Sequence, residues 1–216
     1  MKRLSLKNAI IVLAILSLPL LVSCKTQPVS SPEPQIQEPA IPANFTTYTD
    51  ESNLYRISYP PDWELALSKI EGLQQSTKEL INSINSNVPV EKASIIFFAG
   101  LPKGAGYAPN VNIVVEPMPE SVSTHDKMME MEIRGIKAVV KDYHEYSRLK
   151  TTVGGREATI LDWEGTYSQA GKIHTLQLLM LVGKTGWVVS CSPTEGEMSK
   201  WEADLNSVVR SLRILK

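Results

Sequence analysis

The sequence predicts an α+β fold in which an antiparallel sheet of about six to seven strands packs against amphipathic helices. Strand-like runs rich in Val, Ile and aromatic residues are separated by Gly-containing reversals, and several reversals are too short for anything but antiparallel neighbours. Apolar residues also recur at spacings of three and four in three other stretches, the signature of helices with one buried face.

The elements follow in order. Tyr55-Arg56-Ile57-Ser58-Tyr59 alternates, placing Tyr55, Ile57 and Tyr59 on one face, and Pro60-Pro61 ends the strand. Asp62-Trp63 then makes a turn carrying a large apolar plug. Ser68 and Glu71 form a capping-box pattern, followed by Ile70, Leu73, Thr77, Leu80, Ile81 and Ile84 on one helical face as far as Val88-Pro89. Ala93 to Ala99 and Val111 to Glu116 read as strands. The Gly- and Pro-rich stretch from Gly100 to Asn110 between them reads as an irregular loop.

Ser123 and Asp126 stand three apart as N-cap and partner of a second helix, whose stripe is Met129, Ile133, Ile136, Val140 and Tyr143. Four strands follow: Glu145 to Val153, Arg156 to Ser168, Ile173 to Val182 and Trp187 to Ser192. Gly154-Gly155, Gly171 and Lys184-Thr185-Gly186 mark the reversals between them. Thr194 with Glu197 opens the last helix, in which Met198, Trp201, Leu205, Val208 and Leu212 face the sheet.

Residues 45–216 therefore read as one domain of ordinary size, and the 43% hydrophobic content is that of a globular protein. What precedes it is different. Lys25 to Asn44 holds Pro28, Pro32, Pro34, Pro39 and Pro42 among polar residues, a composition that favours extended polyproline II over a packed core. Ahead of this tether, Lys2, Arg3 and Lys7 introduce about 14 apolar or small residues, a signal-peptide core too short for the roughly 20 residues that span a bilayer.

The apolar run closes on Leu21-Val22-Ser23-Cys24, which resembles the bacterial lipobox. The resemblance implies cleavage before Cys24, lipidation of its sulfur and acylation of the new amine. Residues 1–23 are then a signal peptide and residues 24–44 a lipidated tether. An uncleaved anchor, or an ordinary signal peptide with a coincidental cysteine, are the alternatives. Two or more acyl chains on one residue would hold the protein lastingly at a membrane, whereas one chain binds only marginally.

The domain itself resembles the PsbP-like superfamily. The resemblance rests on Tyr55 to Trp63 (YRISYPPDW), on Val153-Gly154-Gly155 leading into Ala158 to Trp163, and on a closing helix ending Ser211-Leu212. It implies an α/β/α sandwich with helices on both faces of a central antiparallel sheet. Members include the extrinsic subunit of photosystem II, a nuclear factor that binds a small GTPase, and bacterial secretion chaperones and lipoproteins. Mostly they bind other proteins.

Composition narrows the function further. Lys2, Arg3 and Lys7 are the only charges in residues 1–23, so the rest of the chain carries a net charge of −4 from its share of 22 Lys+Arg and 23 Asp+Glu. A mildly acidic chain lacks the electrostatic footprint of a nucleic-acid binder. Gly183-Lys184-Thr185 lacks the first glycine of a phosphate-binding loop, Leu178 standing in its place, and reads as a turn. Gly104-Ala105-Gly106 likewise lacks the third glycine of a dinucleotide fingerprint.

His125, His144 and His174 share no metal-ligand spacing, so they read as packed or solvated side chains, and neither metal nor cofactor is expected. Cys191 has the parity of Trp187 and Val189 and reads as a buried thiol. Asp62/Glu64 and Asp162/Glu164 are carboxylate pairs that a solvated surface explains. Trp63, Trp163, Trp187 and Trp201 suit packing more than a carbohydrate pocket. The binding candidates are Gly104, Gly106 and Tyr107 in the loop, because long loops on rigid sheets carry recognition.

The expected function is a non-enzymatic, lipid-anchored module on the extracytoplasmic face of a cell membrane, or facing the periplasm, that binds or supports an envelope protein or complex. The alternative is an envelope hydrolase or small-ligand carrier whose site is assembled from residues distant in sequence.

Overall fold

The computed structural model describes residues 40–75, 93–103, 106–167, 171–193 and 196–216. The expected signal peptide, most of the expected tether including Cys24, and most of the first expected helix lie outside them.

A seven-stranded antiparallel sheet forms the middle layer. In chain order its strands are β3 (Glu64–Leu65), β4 (Ser94–Lys103), β5 (Gly106–Pro117), β6 (Lys141–Val153), β7 (Arg156–Tyr167), β8 (Gly171–Val182) and β9 (Thr185–Ser192). Their spatial order is β3-β4-β5-β9-β8-β7-β6, which leaves β6 as a long edge strand. Tyr55–Tyr59 (β2) is a strand as expected but does not join this sheet. It is the centre of a second, three-stranded sheet, flanked by β1 (Thr46–Thr49) and β10 (Arg213–Ile214). Alternation announces a strand, whereas its partner here lies at the far end of the chain.

Among the described residues two long helices complete the sandwich: α1 (His125–Val139) and α2 (Met198–Arg210). One face of the central sheet, including Phe97, Val111, Ile113, Ile160, Leu178, Val189 and Cys191, packs against α2 and the small sheet. The opposite face, including Val114, Leu161, Trp163, Leu179 and Val188, packs against α1. Both faces are thus covered, as the α/β/α expectation required. Ser211 ties α2 to the small sheet. Its Oγ accepts from the Ser58 amide at 2.8 Å and donates to the Val208 carbonyl at 2.6 Å, with the Ser58 carbonyl at 3.1 Å.

Several boundaries differ from the sequence reading for identifiable reasons. Thr124, not Ser123, caps α1, its Oγ1 accepting from the Lys127 amide at 3.3 Å. The helix stops at Val139, Val140 is already extended, and Tyr143 belongs to β6. Residues 67–69 form a 3-10 turn without a side-chain cap, and residues 70–75 are helical. The remainder of that expected helix lies outside the described residues. At the last helix Glu197 occupies the cap without a side-chain bond, and Thr194 lies outside the described residues.

The irregular loop expected from Gly100 to Asn110 is largely a hairpin, since β4 runs to Lys103 and β5 starts at Gly106. Its prolines are tolerated because the ladder shifts register between Gly100 and Pro102, where a missing N–H costs least. The turn before β9 is Gly183-Lys184, with Gly183 at φ 63°, while Gly186 lies within the strand. Gly154-Gly155 turns as expected, at φ 60° and 75°.

Candidate functional site

The sequence-derived site residues are dispersed. Cys24 and Gly104 lie outside the described residues. Gly106 and Tyr107 are on β5, opposite Lys103 and Pro102 of β4. Cys191 is fully buried on the α2 side, opposite Leu176, and burial pushes its thiol well above the ordinary range. A thiol so placed is inert packing.

A different constellation forms where β6, β7 and β8 run out from under α2. Along β8 exposure rises from Leu176, 5% exposed, to the side chains of His174, 22%, and Lys172, 52%. Cross-strand register places His144, Glu164 and His174 side by side on three neighbouring strands. The alternation that buries Ile160 therefore brings Asp162 and Glu164 to the same face.

Each polar group on this ledge has a partner. His174 Nε2 lies 2.6 Å from Asp162 Oδ1. Lys172 Nζ lies 2.9 Å from Glu164 Oε1, and this ammonium lowers the Glu164 carboxyl below its ordinary value. Tyr146, 51% exposed, stacks on His174 with centroids 4.9 Å apart and planes at 26°, while His144 meets the tyrosine edge-on at 4.6 Å. The Tyr146 hydroxyl hydrogen-bonds Glu164, which raises the phenol.

The backbone of β6 is irregular around these residues. The ladder shifts between Lys141 and His144 and again between Glu145 and Ser147, and Asp142 has φ 54°, a left-handed conformation that a non-glycine residue adopts at some cost. The second irregularity leaves Tyr146 outside the pairing register. Bulges re-aim side chains and strengthen local twist, and here they carry an aromatic ring out of the pleat and onto His174.

The ledge is thus a pre-organised polar and aromatic surface on a rigid sheet. One face of the Tyr146 ring is covered by the His174 imidazole, His144 meets the ring edge-on and the hydroxyl bonds Glu164, yet the residue remains 51% exposed and available to a partner. Rings held in this way contribute contact area at low entropic cost. Among the described residues no three His, Cys, Asp or Glu side chains converge as a metal-binding group. Sequence reasoning treated the three histidines separately because nothing along the chain reveals that Tyr146 bridges two of them. The only local hint is the spacing of Asp162 and Glu164.

No family model matches the chain, and no curated protein matches it. Among solved structures, that of cyanobacterial PsbP (CyanoP) from Synechocystis sp. PCC 6803 superposes with a TM-score of 0.50 at 10% identity, covering 80% of this chain and 93% of that one. The fold is PsbP-like. LpqN, involved in cell envelope biogenesis of Mycobacterium tuberculosis, superposes with a TM-score of 0.48 at 12% identity, over 80% of this chain and 91% of its own. At 10% identity the likeness to CyanoP speaks for the PsbP-like architecture alone, and the ledge is argued from this chain's own side chains.

Proposed function

We propose that the protein is a lipid-anchored, non-enzymatic module of the bacterial envelope whose PsbP-like domain, residues 45–216, docks an envelope protein through the His144–Tyr146–His174 ledge. The observation that carries the reading is Tyr146, half exposed and stacked on an imidazole at the open end of the sheet. Exposed aromatic side chains in fixed geometry are the anchors on which interfaces concentrate their binding energy.

The N-terminal sequence supports this location. Leu21-Val22-Ser23-Cys24 supports removal of residues 1–23 and lipidation of Cys24. The proline-rich residues 25–44 would extend on the order of 60 Å at about 3.1 Å per residue, so the domain can work clear of the headgroups. Tethering also restricts the search to the membrane surface and raises the effective concentration of the module near partners held there.

The test is crosslinking in intact cells followed by detergent phase partition. The parent chain should partition into detergent and give a discrete crosslinked product. Tyr146→Ala should lose that product while remaining in the detergent phase, and Cys24→Ala should leave the detergent phase. Undiminished product from Tyr146→Ala would remove the ledge from the proposal. Unchanged partition of Cys24→Ala would remove the anchor.

A further inference from the structure

Two acidic side chains meet inside the layer between the central sheet and α1. Glu116, on β5, is 0% exposed, and Glu132, on α1, is 1% exposed. They lie among apolar groups: Val114 and Met118 share the Glu116 face of β5, while Met128, Met129, Met131 and Ile136 surround Glu132 on the helix. Gly186 stands opposite Glu116 on β9, and the methyl ends of Met118 and Met128 fill the space its missing side chain leaves.

Both Glu116 oxygens and Glu132 Oε1 have no hydrogen-bond donor among the described residues. Two ionised carboxylates offer each other only acceptors, whereas a single proton between them makes one a donor and turns repulsion into a hydrogen bond. The other charged side chains of α1, Asp126, Lys127, Glu130, Arg134 and Lys137, are exposed on its outer side. Among the described residues His125 and Tyr167 are the other titratable groups buried in this layer. Burial is the largest influence on both Glu116 and Glu132 and raises both carboxyls above the ordinary 4.5, and each carboxyl is the other's next influence.

We propose that the Glu116–Glu132 pair is a proton-operated latch: a proton held between the two carboxyls seats α1 on the sheet, and its loss releases the helix and uncovers the methionine-lined face. The sign follows from linkage. An acid raised in the seated state keeps a proton that the released state gives up near 4.5, so seating weakens as pH rises from there through the pair's own higher titration. While that one proton is being lost, the released population grows about tenfold per pH unit.

Hydrogen exchange of the full chain, corrected for intrinsic rates, tests this from about pH 5 to about pH 9. Amides of α1 should lose protection with rising pH, by up to about tenfold per unit, ahead of β8 and β9. Glu132→Gln, which keeps the shape and removes the charge, should abolish that dependence, and Glu116→Gln should do the same from the sheet side. A flat profile in the parent chain would overturn the latch. So would an unchanged dependence in a folded Gln variant, or loss of protection in α1, β8 and β9 together, which would mark global unfolding.

Discussion

Val140 occupies the space in which a side chain on Gly165 would stand: a Cβ built there overlaps Val140 Cγ1 and lies 3.1 Å from the Lys141 carbonyl oxygen. The chain leaving α1 therefore crosses β7 at a point where that strand presents no side chain. Val140 is β-branched and stiff at χ1, and it is followed at once by β6, so neither partner can easily withdraw. Gly165→Ala should destabilise the domain by about 1–3 kcal/mol, the usual cost of overpacking. At about 2–4 °C per kcal/mol for a domain of this size, circular dichroism should show a clear fall in Tm. Gly72→Ala is the contrasting case, because nothing lies within 4 Å of its built Cβ and the residue is helical. It should be neutral or stabilising by up to about 1 kcal/mol.

Trp163 is 1% exposed, and its Nε1 donates to Gln177 Oε1 at 2.8 Å, while Gln177 Nε2 donates to Ser190 Oγ at 3.0 Å. This row crosses β7, β8 and β9 beneath the α1 layer. Gln177→Leu is nearly isosteric but leaves the indole N–H without an acceptor. The expected loss is about 1–3 kcal/mol in urea unfolding, the cost of a buried donor left unmet. Ser190→Ala removes only the outer link and should cost less. Equal effects for the two variants would contradict this ordering.

The chain has two cysteines, and their reactivities report on separate parts of it. Cys191 is buried, with its thiol raised by burial, so a thiol reagent should fail to label it in the folded domain and label it rapidly in denaturant. A mature chain lipidated at Cys24 should therefore expose a single reactive thiol when unfolded. Two would show that Cys24 is bare. Labelling of the folded chain traced to Cys191 would contradict its packing.

Glycine chemistry and hydrophobic period carried the architecture into the sequence unevenly. The hairpin at Gly154-Gly155 and the apolar faces of α1 and α2 were legible because each is set by neighbours in the chain. The separate small sheet was not, since Tyr55 finds Ile214 across nearly the whole domain. The β4–β5 hairpin was hidden by Pro102 and Pro109, which tell against regular pairing until a register shift accommodates them. The ledge depends on cross-strand register between β6, β7 and β8, which no local pattern contains. Glu116 and Glu132 were visible in principle: one alternates with Val114 and Met118, and the other sits one helical turn from Met128 and Ile136. A charged residue at core parity is the signal that would have found them.

His125 offers the opposite pH response at the start of α1. It is 6% exposed, its Nε2 lies 2.8 Å from Thr159 Oγ1, and its Nδ1 has no partner among the described residues. Burial, the largest influence, lowers its affinity for a proton below the ordinary 6.5 and outweighs the opposing pull of Glu157 and Asp126, with Lys150 adding a smaller effect in the direction of burial. The unfolded chain then takes up a proton near 6.5 that the folded chain resists, so stability falls as pH drops below that value, until the folded imidazole itself titrates. His125→Gln retains a group able to meet Thr159 and removes the titration. Between about pH 7 and about pH 5 the parent should lose more unfolding free energy than the variant, by up to about 1.4 kcal/mol per unit. The Glu116–Glu132 contribution is common to both proteins and cancels in the difference. Urea unfolding at intermediate pH measures it, and parallel stability curves would mean that the folded chain takes up the His125 proton as readily as the unfolded one, contrary to its burial.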